Sequence, residues 1–320
     1  MTRLQDIYPD DRVSLREVGL RDGLQLVKTF PSTAAKQRWI RDEYGAGVRH
    51  FEVGSFLPAS RFPQFADVLD VVRTVAALPG AHGIALALNE RAVNEALASG
   101  VAEIASVVSA TEEHSQANAN RSREQAIANI KRLCELRNAS PHKPIVNAAI
   151  SMALGCSITG PVEPREVMKL AEKCLAAGVD FVAVADTVGY AGPKQVGELT
   201  KSIVKMSGAR PVCVHLHDTR GMGIANASAA LDAGARILDG SLGGLGGCPF
   251  APGATGNVVF EDLVFLCESK GFATGIDIGK LVAVRSILRS EMPGEPLYGG
   301  LARAGLPGRT SASEQRARSA

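Results

Sequence analysis

The sequence carries almost no net charge and contains no basic cluster. Its 35 basic and 33 acidic residues leave a formal charge of only +2 over 320 residues. Lysine and arginine are not grouped with interleaved aromatic side chains, as they are on nucleic-acid-binding surfaces. We therefore expect no nucleic-acid partner.

Apolar runs long enough to cross a bilayer are absent, since none approaches the roughly 20 residues that a membrane helix needs. No signal peptide is recognisable either. The six cysteines are scattered along the chain without a CxxC pair. In a chain of this length, that distribution indicates free thiols in a reducing compartment rather than a disulfide framework. We expect a cytoplasmic protein without membrane contact.

What the sequence does contain is a regular alternation of short apolar runs with longer amphipathic stretches. The apolar runs predict eight strands, near Val13–Val18, Val48–Val53, Gly83–Leu88, Ala102–Val108, Pro144–Ser151, Asp180–Ala185, Pro211–His215 and Arg236–Gly240. The stretches between them predict helices, among them Thr33–Tyr44, Arg121–Arg137, Pro164–Ala176 and Lys194–Met206. An α/β chain with eight strands, each followed by a helix, favours a (β/α)8 TIM barrel over an open doubly wound sheet, which stays the alternative.

Length and hydrophobic content indicate a single domain. Hydrophobic residues make up 46% of the chain, and barrels of this class often exceed about 250 residues as one domain. We predict one barrel domain over residues 1–307, with extra C-terminal helices near the active-site face. The small, polar and charged residues 308–320 predict a disordered tail.

The segment His215-Leu216-His217-Asp218 is the most informative part of the chain, because it follows an apolar run that predicts a buried strand. Alternate residues of a strand project to the same face, so the two histidines point the same way. Two imidazoles in register can hold one metal ion. A hydrogen-bonded histidine pair filling a polar layer is the alternative.

Other reactive side chains also follow predicted strands, at the end of a barrel where active sites lie. They are Arg21 and Asp22 after the first strand, Glu52 at the end of the second, Asp186 and Thr187 after the sixth, and Asn257 and Glu261 beyond the eighth. A glycine run, Gly243–Gly247, precedes Cys248 but lacks the spacing of a dinucleotide or phosphate loop. We interpret it as a mobile loop that carries Cys248 over the site.

Taken together, these segments closely resemble hydroxymethylglutaryl-CoA (HMG-CoA) lyases, from about Val13 to about Leu288. The resemblance lies in Arg-Asp-Gly-Leu-Gln at 21–25, Glu52 with Ser55-Phe56, the pattern His-x-His-Asp-Thr at 215–219, and above all Gly-Leu-Gly-Gly-Cys-Pro-Phe-Ala-Pro-Gly-Ala-Thr-Gly-Asn at 244–257. It implies a metal-dependent barrel that cleaves a 3-hydroxyacyl-CoA by a retro-Claisen reaction. We also expect a homodimer or a higher homo-oligomer.

The family's metal ligands match Asp22, His215, His217 and Asn257. This mixed nitrogen and oxygen set, with positions left for a bidentate substrate, suits Mg²⁺ or Mn²⁺ better than Zn²⁺. The family's catalytic positions match Arg21, Glu52, Asp186, Cys248 and Glu261. We expect Arg21, Gln25, Ser55, Asn147 and Thr187 to bind the acyl-CoA substrate.

The resemblance implies a role for several of these groups. Arg21 would stabilise the enolate, Glu52 would orient Arg21, and Cys248 would protonate the enolate carbon. The general base stays open.

The fifth strand departs from the family, because Asn147-Ala148-Ala149 stands where Arg-Gly-Tyr is usual. The acyl group is therefore open between HMG-CoA and another 3-hydroxyacyl-CoA, such as citramalyl-CoA or a branched glutaryl-CoA. A Claisen-condensing enzyme of the isopropylmalate or homocitrate synthase type and a non-catalytic binding barrel are weaker alternatives.

Overall fold

The computed structural model describes residues 3–247 and 256–307. Eight parallel strands form a closed barrel in chain order. They are β1 Ser14–Glu17, β2 His50–Ser55, β3 His82–Leu86, β4 Glu103–Ser109, β5 Ile145–Ser151, β6 Phe181–Asp186, β7 Val212–Leu216 and β8 Ile237–Gly240. Because β1 pairs with β8, the sheet has no open edge. The predicted TIM barrel and all eight predicted strands are confirmed.

Twelve helices lie within the described ranges. They are α1 Arg3–Ile7, α2 Thr33–Ala46, α3 Val68–Ala76, α4 Glu90–Ser99, α5 Glu112–Ala119, α6 Arg123–Ala139, α7 Pro164–Ala176, α8 Pro193–Ser207, α9 Gly223–Asp232, α10 Phe260–Ser269, α11 Ile278–Glu291 and α12 Gly300–Ala304. Side chains cap several N-termini, as Ser32 does for α2 and Asn89 for α4. The four predicted helices are confirmed, and none of the described helices is long and apolar enough to cross a membrane.

The predicted C-terminal helices lie near the active-site face. Tyr298 N donates to Gly243 O in the turn after β8, and Gly300 N donates to Asp262. Arg285 of α11 reaches Glu261 of α10 at 2.6 Å. The extension is therefore tied to the C-terminal rim of the barrel. The predicted tail, 308–320, lies outside the described residues.

The N-terminal end of the barrel is closed by α1 and the residue that follows it, Tyr8. Its ring stacks on His50 at 5.1 Å between centroids, and its hydroxyl donates to Glu103 at 2.7 Å. Glu103 also lies 2.8 Å from His82 Nε2. A polar cluster of the buried Tyr8, His82 and Glu103 with the half-buried His50 thus fills this end, and we call it the lower cluster.

Candidate active site

A tight helical turn at residues 19–23 carries Arg21 and Asp22 to the C-terminal rim. The Glu17 carboxylate accepts a hydrogen bond from Gly19 N at 2.6 Å. A β-carbon at position 19 would collide with that carboxylate and with the Trp39 ring, so only glycine fits there. The turn is therefore anchored from below, and its two charged side chains face the barrel axis.

His215 and His217 leave β7 on the same face, as predicted, with ring centroids 5.2 Å apart. Asp22 Oδ2 lies 3.4 Å from His217 Nε2 and 3.9 Å from His215 Nε2. One donor atom from each of these three residues falls within 4.8 Å of the others. This spacing would let all three coordinate a single divalent cation.

Asn257 joins the same site through backbone pairing with His217. Its amide nitrogen lies 2.8 Å from Asp22 Oδ2, and its buried Oδ1 has no hydrogen-bond partner among the described residues. Two imidazole nitrogens, one carboxylate and one free amide oxygen fit a cation that accepts mixed N/O ligands, such as Mg²⁺ or Mn²⁺.

Charged neighbours favour the ionised form of Asp22. Burial alone would raise the pKa of this carboxyl, but Arg21 and the two histidines hold it well below its usual range. Glu52 Oε2 lies 2.8 Å from Arg21 Nε, which is the contact expected from the sequence. Burial nevertheless raises the pKa of Glu52, and Arg21 only partly offsets it.

A pocket of about 470 Å³ opens above these groups. Seven of the predicted residues line it: Arg21, Asp22, Gln25, Glu52, Thr187, His215 and His217. Gln25 Oε1 accepts from Arg21 at 3.3 Å, and Thr187 Oγ1 accepts from Met152 N at 2.9 Å. The pocket mouth carries two further cations, Arg61 and Arg121.

Besides Asn257, four other predicted residues within the described ranges do not line the pocket. The Asp186 carboxylate accepts from Tyr190 N and Ala191 N, so it shapes the turn that carries Thr187. Glu261 is fully buried and accepts from Gly243 N and Arg285. Both carboxylates hold loops, neither lines the pocket, and their catalytic roles stay predictions.

Ser55 and Asn147 are the other two. Ser55 donates to Leu86 O at 3.3 Å, and Asn147 donates to Glu103 at 2.6 Å, deep in the barrel. Neither side chain lines the pocket, and their contact with substrate stays a prediction. The residues of β5 that line the pocket are Ala149 and Ser151. Cys248 lies outside the described residues, so its predicted role stays a prediction.

Sequence reasoning missed Arg16 and Asp239, which both line the pocket floor. Arg16 Nε lies 2.6 Å from Asp239 Oδ1, and Asp239 Oδ2 lies 3.0 Å from His215 Nδ1. The sequence offered one signal: each is a charged residue inside a predicted strand, Arg16 in Val13–Val18 and Asp239 in Arg236–Gly240.

The chain matches a protein-family model described as HMGL-like over residues 12–288. It is 33% identical over 290 residues to the hydroxymethylglutaryl-CoA lyase YngG of Bacillus subtilis, covering 91% of this chain and 96% of that protein. It is 37% identical over 271 residues to a 3-hydroxy-3-isohexenylglutaryl-CoA/hydroxymethylglutaryl-CoA lyase of Pseudomonas aeruginosa, with 85% and 90% covered.

Solved structures agree with these matches. An HMG-CoA lyase from Acinetobacter baumannii, in complex with coenzyme A and 3-methylmalate, superposes with a TM-score of 0.88 at 32% identity, covering 97% of this chain and 99% of that one. The carboxyl transferase domain of Rhizobium etli pyruvate carboxylase superposes with a TM-score of 0.71 at 18% identity, covering 92% of this chain and 50% of that one. The second likeness concerns the fold alone.

Proposed function

The chain belongs to the HMGL-like family of carbon–carbon lyases, and we propose that it cleaves 3-hydroxy-3-methylglutaryl-CoA into acetyl-CoA and acetoacetate. The observation that carries this proposal is the convergence of Asp22, His215 and His217 on one point beside the Arg21–Glu52 pair, at the floor of a 470 Å³ pocket. Retro-Claisen cleavage is assisted by a metal ion that makes the hydroxyl more acidic and by a fixed positive charge near the developing enolate.

A divalent cation held by Asp22, His215, His217 and Asn257 would polarise the substrate's 3-hydroxyl and make it more acidic. In the reaction, this hydroxyl loses its proton and becomes the ketone carbonyl of acetoacetate. The bond between C2 and C3 breaks, and its electron pair forms the acetyl-CoA enolate. The enolate carbon then takes up a proton to give acetyl-CoA.

Arg21 stabilises the enolate oxygen as negative charge develops on it, because its guanidinium is held in place by Glu52 at 2.8 Å. A pre-oriented cation does not have to reorganise during the reaction. Cys248 donates the proton to the enolate carbon, a role that rests on its place in the sequence between Gly247 and Pro249. Asp186 and Glu261 support the turns that bear Thr187 and Gly243.

The test is a CoA-thioester assay after removal of metal with a chelator. We expect acetyl-CoA release from HMG-CoA only when Mg²⁺ or Mn²⁺ is restored, and a loss of rate on the order of 10²–10⁴ in Cys248→Ser with metal binding retained. Absence of metal-dependent release from HMG-CoA, citramalyl-CoA and branched glutaryl-CoA would overturn the proposal.

A branched 3-hydroxyglutaryl-CoA is the second candidate substrate, favoured by the small side chains in the pocket. Ala105, Ala149, Ala183 and Ala185 all line it, with Leu86 beside them. These apolar groups leave room for a longer substituent at C3. The Pseudomonas aeruginosa relative, whose name includes a 3-isohexenyl substrate, supports the same direction.

Ala149→Tyr distinguishes the two substrates, because the ring would fill the space beside Ala183. We expect kcat/KM for a long-branched substrate to fall roughly 10–200-fold relative to HMG-CoA. Ala149→Ser, nearly equal in size to the native residue, is the matched control and should leave the ratio unchanged. An unaltered ratio in Ala149→Tyr would show that β5 does not set acyl specificity.

We also propose a cytoplasmic location and a homodimer or higher homo-oligomer. The five cysteines within the described ranges are buried free thiols, which supports a reducing compartment. Light scattering of the purified protein and fractionation of cells test the two statements.

A further inference from the structure

Three neighbouring strands place Arg16, Asp239 and His215 side by side inside the barrel. Arg16 of β1 is the register partner of Asp239 of β8, and Asp239 is in turn the register partner of His215 of β7. Register partners on adjacent strands project to the same face. All three side chains therefore point into the barrel, with Arg16 and Asp239 next to the metal-site residue His215.

The contacts among these three side chains are short and directional. Asp239 Oδ1 accepts from Arg16 Nε at 2.6 Å, and Oδ2 accepts from Nη2 at 2.9 Å, which makes a bidentate pair. Asp239 Oδ2 also lies 3.0 Å from His215 Nδ1. Each of the three residues is at most 8% exposed. With Nδ1 of His215 facing Asp239, its Nε2 is left to face Asp22.

The guanidinium is held from below as well. Arg16 Nη1 donates to Glu103 at 3.2 Å, and Glu103 is itself fixed by Tyr8, His82 and Asn147. Arg16 cannot turn away without leaving two buried carboxylates short of a cation. The position of Asp239 is thereby fixed through the lower cluster.

The other histidine of the site lacks such support. His217 Nδ1 has no hydrogen-bond partner among the described residues. The backbone of His217 pairs with Asn257, and its ring contacts Asp22 through Nε2 at 3.4 Å. Asp239 therefore acts on one ligand only.

We propose that Asp239, held by Arg16, is a positioning residue of the metal centre that fixes the ring of His215 with its Nε2 directed at the cation. A carboxylate that accepts the second N–H of a ligating histidine sets its tautomer and raises its basicity. The inference rests on the proposed metal-dependent function. On this proposal, part of the affinity for the cation comes from residues inside the barrel and not from the rim.

The test is Mn²⁺ titration followed by the EPR signal of the free ion, which needs no substrate. We expect Asp239→Asn to raise the Kd for Mn²⁺ about 10–100-fold. Tyr8→Phe removes a hydrogen bond at the far end of the same network and is the matched control. It should leave the Kd within about 2-fold of the wild-type value. An unchanged Kd in a folded Asp239→Asn protein would overturn the inference.

Asp239→Asn leaves Arg16 with one carboxylate fewer and can destabilise the fold by itself. The double variant Arg16→Gln/Asp239→Asn removes both charges together and keeps polar groups at both positions. We expect its melting temperature to exceed that of the single variant while its Mn²⁺ affinity stays weak. Recovery of wild-type affinity in the double variant would show that only stability had been lost, and would also overturn the inference.

Failure of this inference can be separated from failure of the proposed function. If wild-type protein binds no Mn²⁺, the metal site itself is wrong, and the proposal on Asp239 falls with it. If the wild type binds Mn²⁺ and His217→Ala does not, the site stands. The behaviour of Asp239→Asn then decides the positioning role alone.

Discussion

The barrel contains a pair of neighbouring histidines at each end. The two pairs have similar spacing but different surroundings. His50 and His82 lie 5.8 Å apart between ring centroids in the lower cluster, and His215 and His217 lie 5.2 Å apart at the rim. Proximity of two imidazoles therefore does not identify a metal site. The surroundings of each pair make the distinction.

In the lower cluster, the Nε2 atom of each histidine already has a hydrogen-bond partner. His82 Nε2 bonds to Glu103, and His50 Nε2 lies 3.2 Å from Ile7 O. Burial and the neighbouring His82 lower the pKa of His50 to about 3. At the rim, Nε2 of both rings converges on Asp22 beside an open pocket. Ring nitrogens that converge beside a cavity indicate a ligand-binding site, whereas ring nitrogens that already have hydrogen-bond partners indicate a structural role.

The largest expected difference between the two pairs appears when one histidine is removed from each. We expect His217→Ala to lose its bound divalent metal and to lower kcat/KM for HMG-CoA by more than about 10³-fold. His82→Gln should keep the metal and stay within about 3-fold of wild-type activity. Metal content by atomic absorption and the cleavage rate are measured on the same samples. Loss of metal in His82→Gln, or full activity in His217→Ala, would erase the distinction.

A smaller difference is expected in the pH dependence of stability. Since the pKa of His50 is lowered to about 3 in the folded protein, against roughly 6.5 in the unfolded chain, only the unfolded chain binds this proton between these values. The stabilisation is thus present above pH 6.5 and is lost as the pH falls toward 3.

Glutamine at position 50 does not titrate and can still donate to Ile7 O. Between pH 7 and pH 4.5, wild-type protein should therefore lose roughly 1–2 kcal/mol more unfolding free energy than His50→Gln. Urea unfolding at both pH values measures this difference. Parallel pH profiles for the two proteins would contradict the prediction.

The smallest effect concerns the stacked tyrosine of the lower cluster. Tyr8→Phe should reduce the free energy of unfolding by about 1 kcal/mol, because the Glu103 carboxylate loses one of several donors. Tyr44→Phe removes an exposed hydrogen bond to Pro79 O and should cost less. Equal losses in the two variants would mean that the buried hydroxyl is no more important than a surface one.

Much of this architecture could be predicted from local sequence pattern. Strand positions follow from apolar runs, and the shared face of His215 and His217 follows from the two-residue period of a strand. The position of Arg21 and Asp22 at the rim is predictable because active-site residues of barrels follow strand ends. These inferences need only the neighbouring residues along the chain.

Depth inside the barrel could not be predicted in the same way. Asn147 and Ala149 both point inward, but only Ala149 reaches the pocket, and Asn147 binds Glu103 one layer lower. The layer of each residue depends on the stagger between strands, which a single sequence does not show. The Arg16–Asp239 ion pair could not be predicted either, because its two residues are 223 positions apart along the chain.

The two ends of the glycine-rich segment touch each other. A β-carbon at Gly256 would collide with the carbonyl oxygens of Gly244 and Gly246, and Asp218 N donates to Gly256 O at 2.9 Å. Residues 246 and 256 therefore lie side by side at the rim of the barrel. For a flexible loop, the entropic contribution to the free energy of closure rises by only about 0.6 kcal/mol when its length doubles. The free energy of unfolding of the barrel should therefore depend little on how many residues join these two fixed positions.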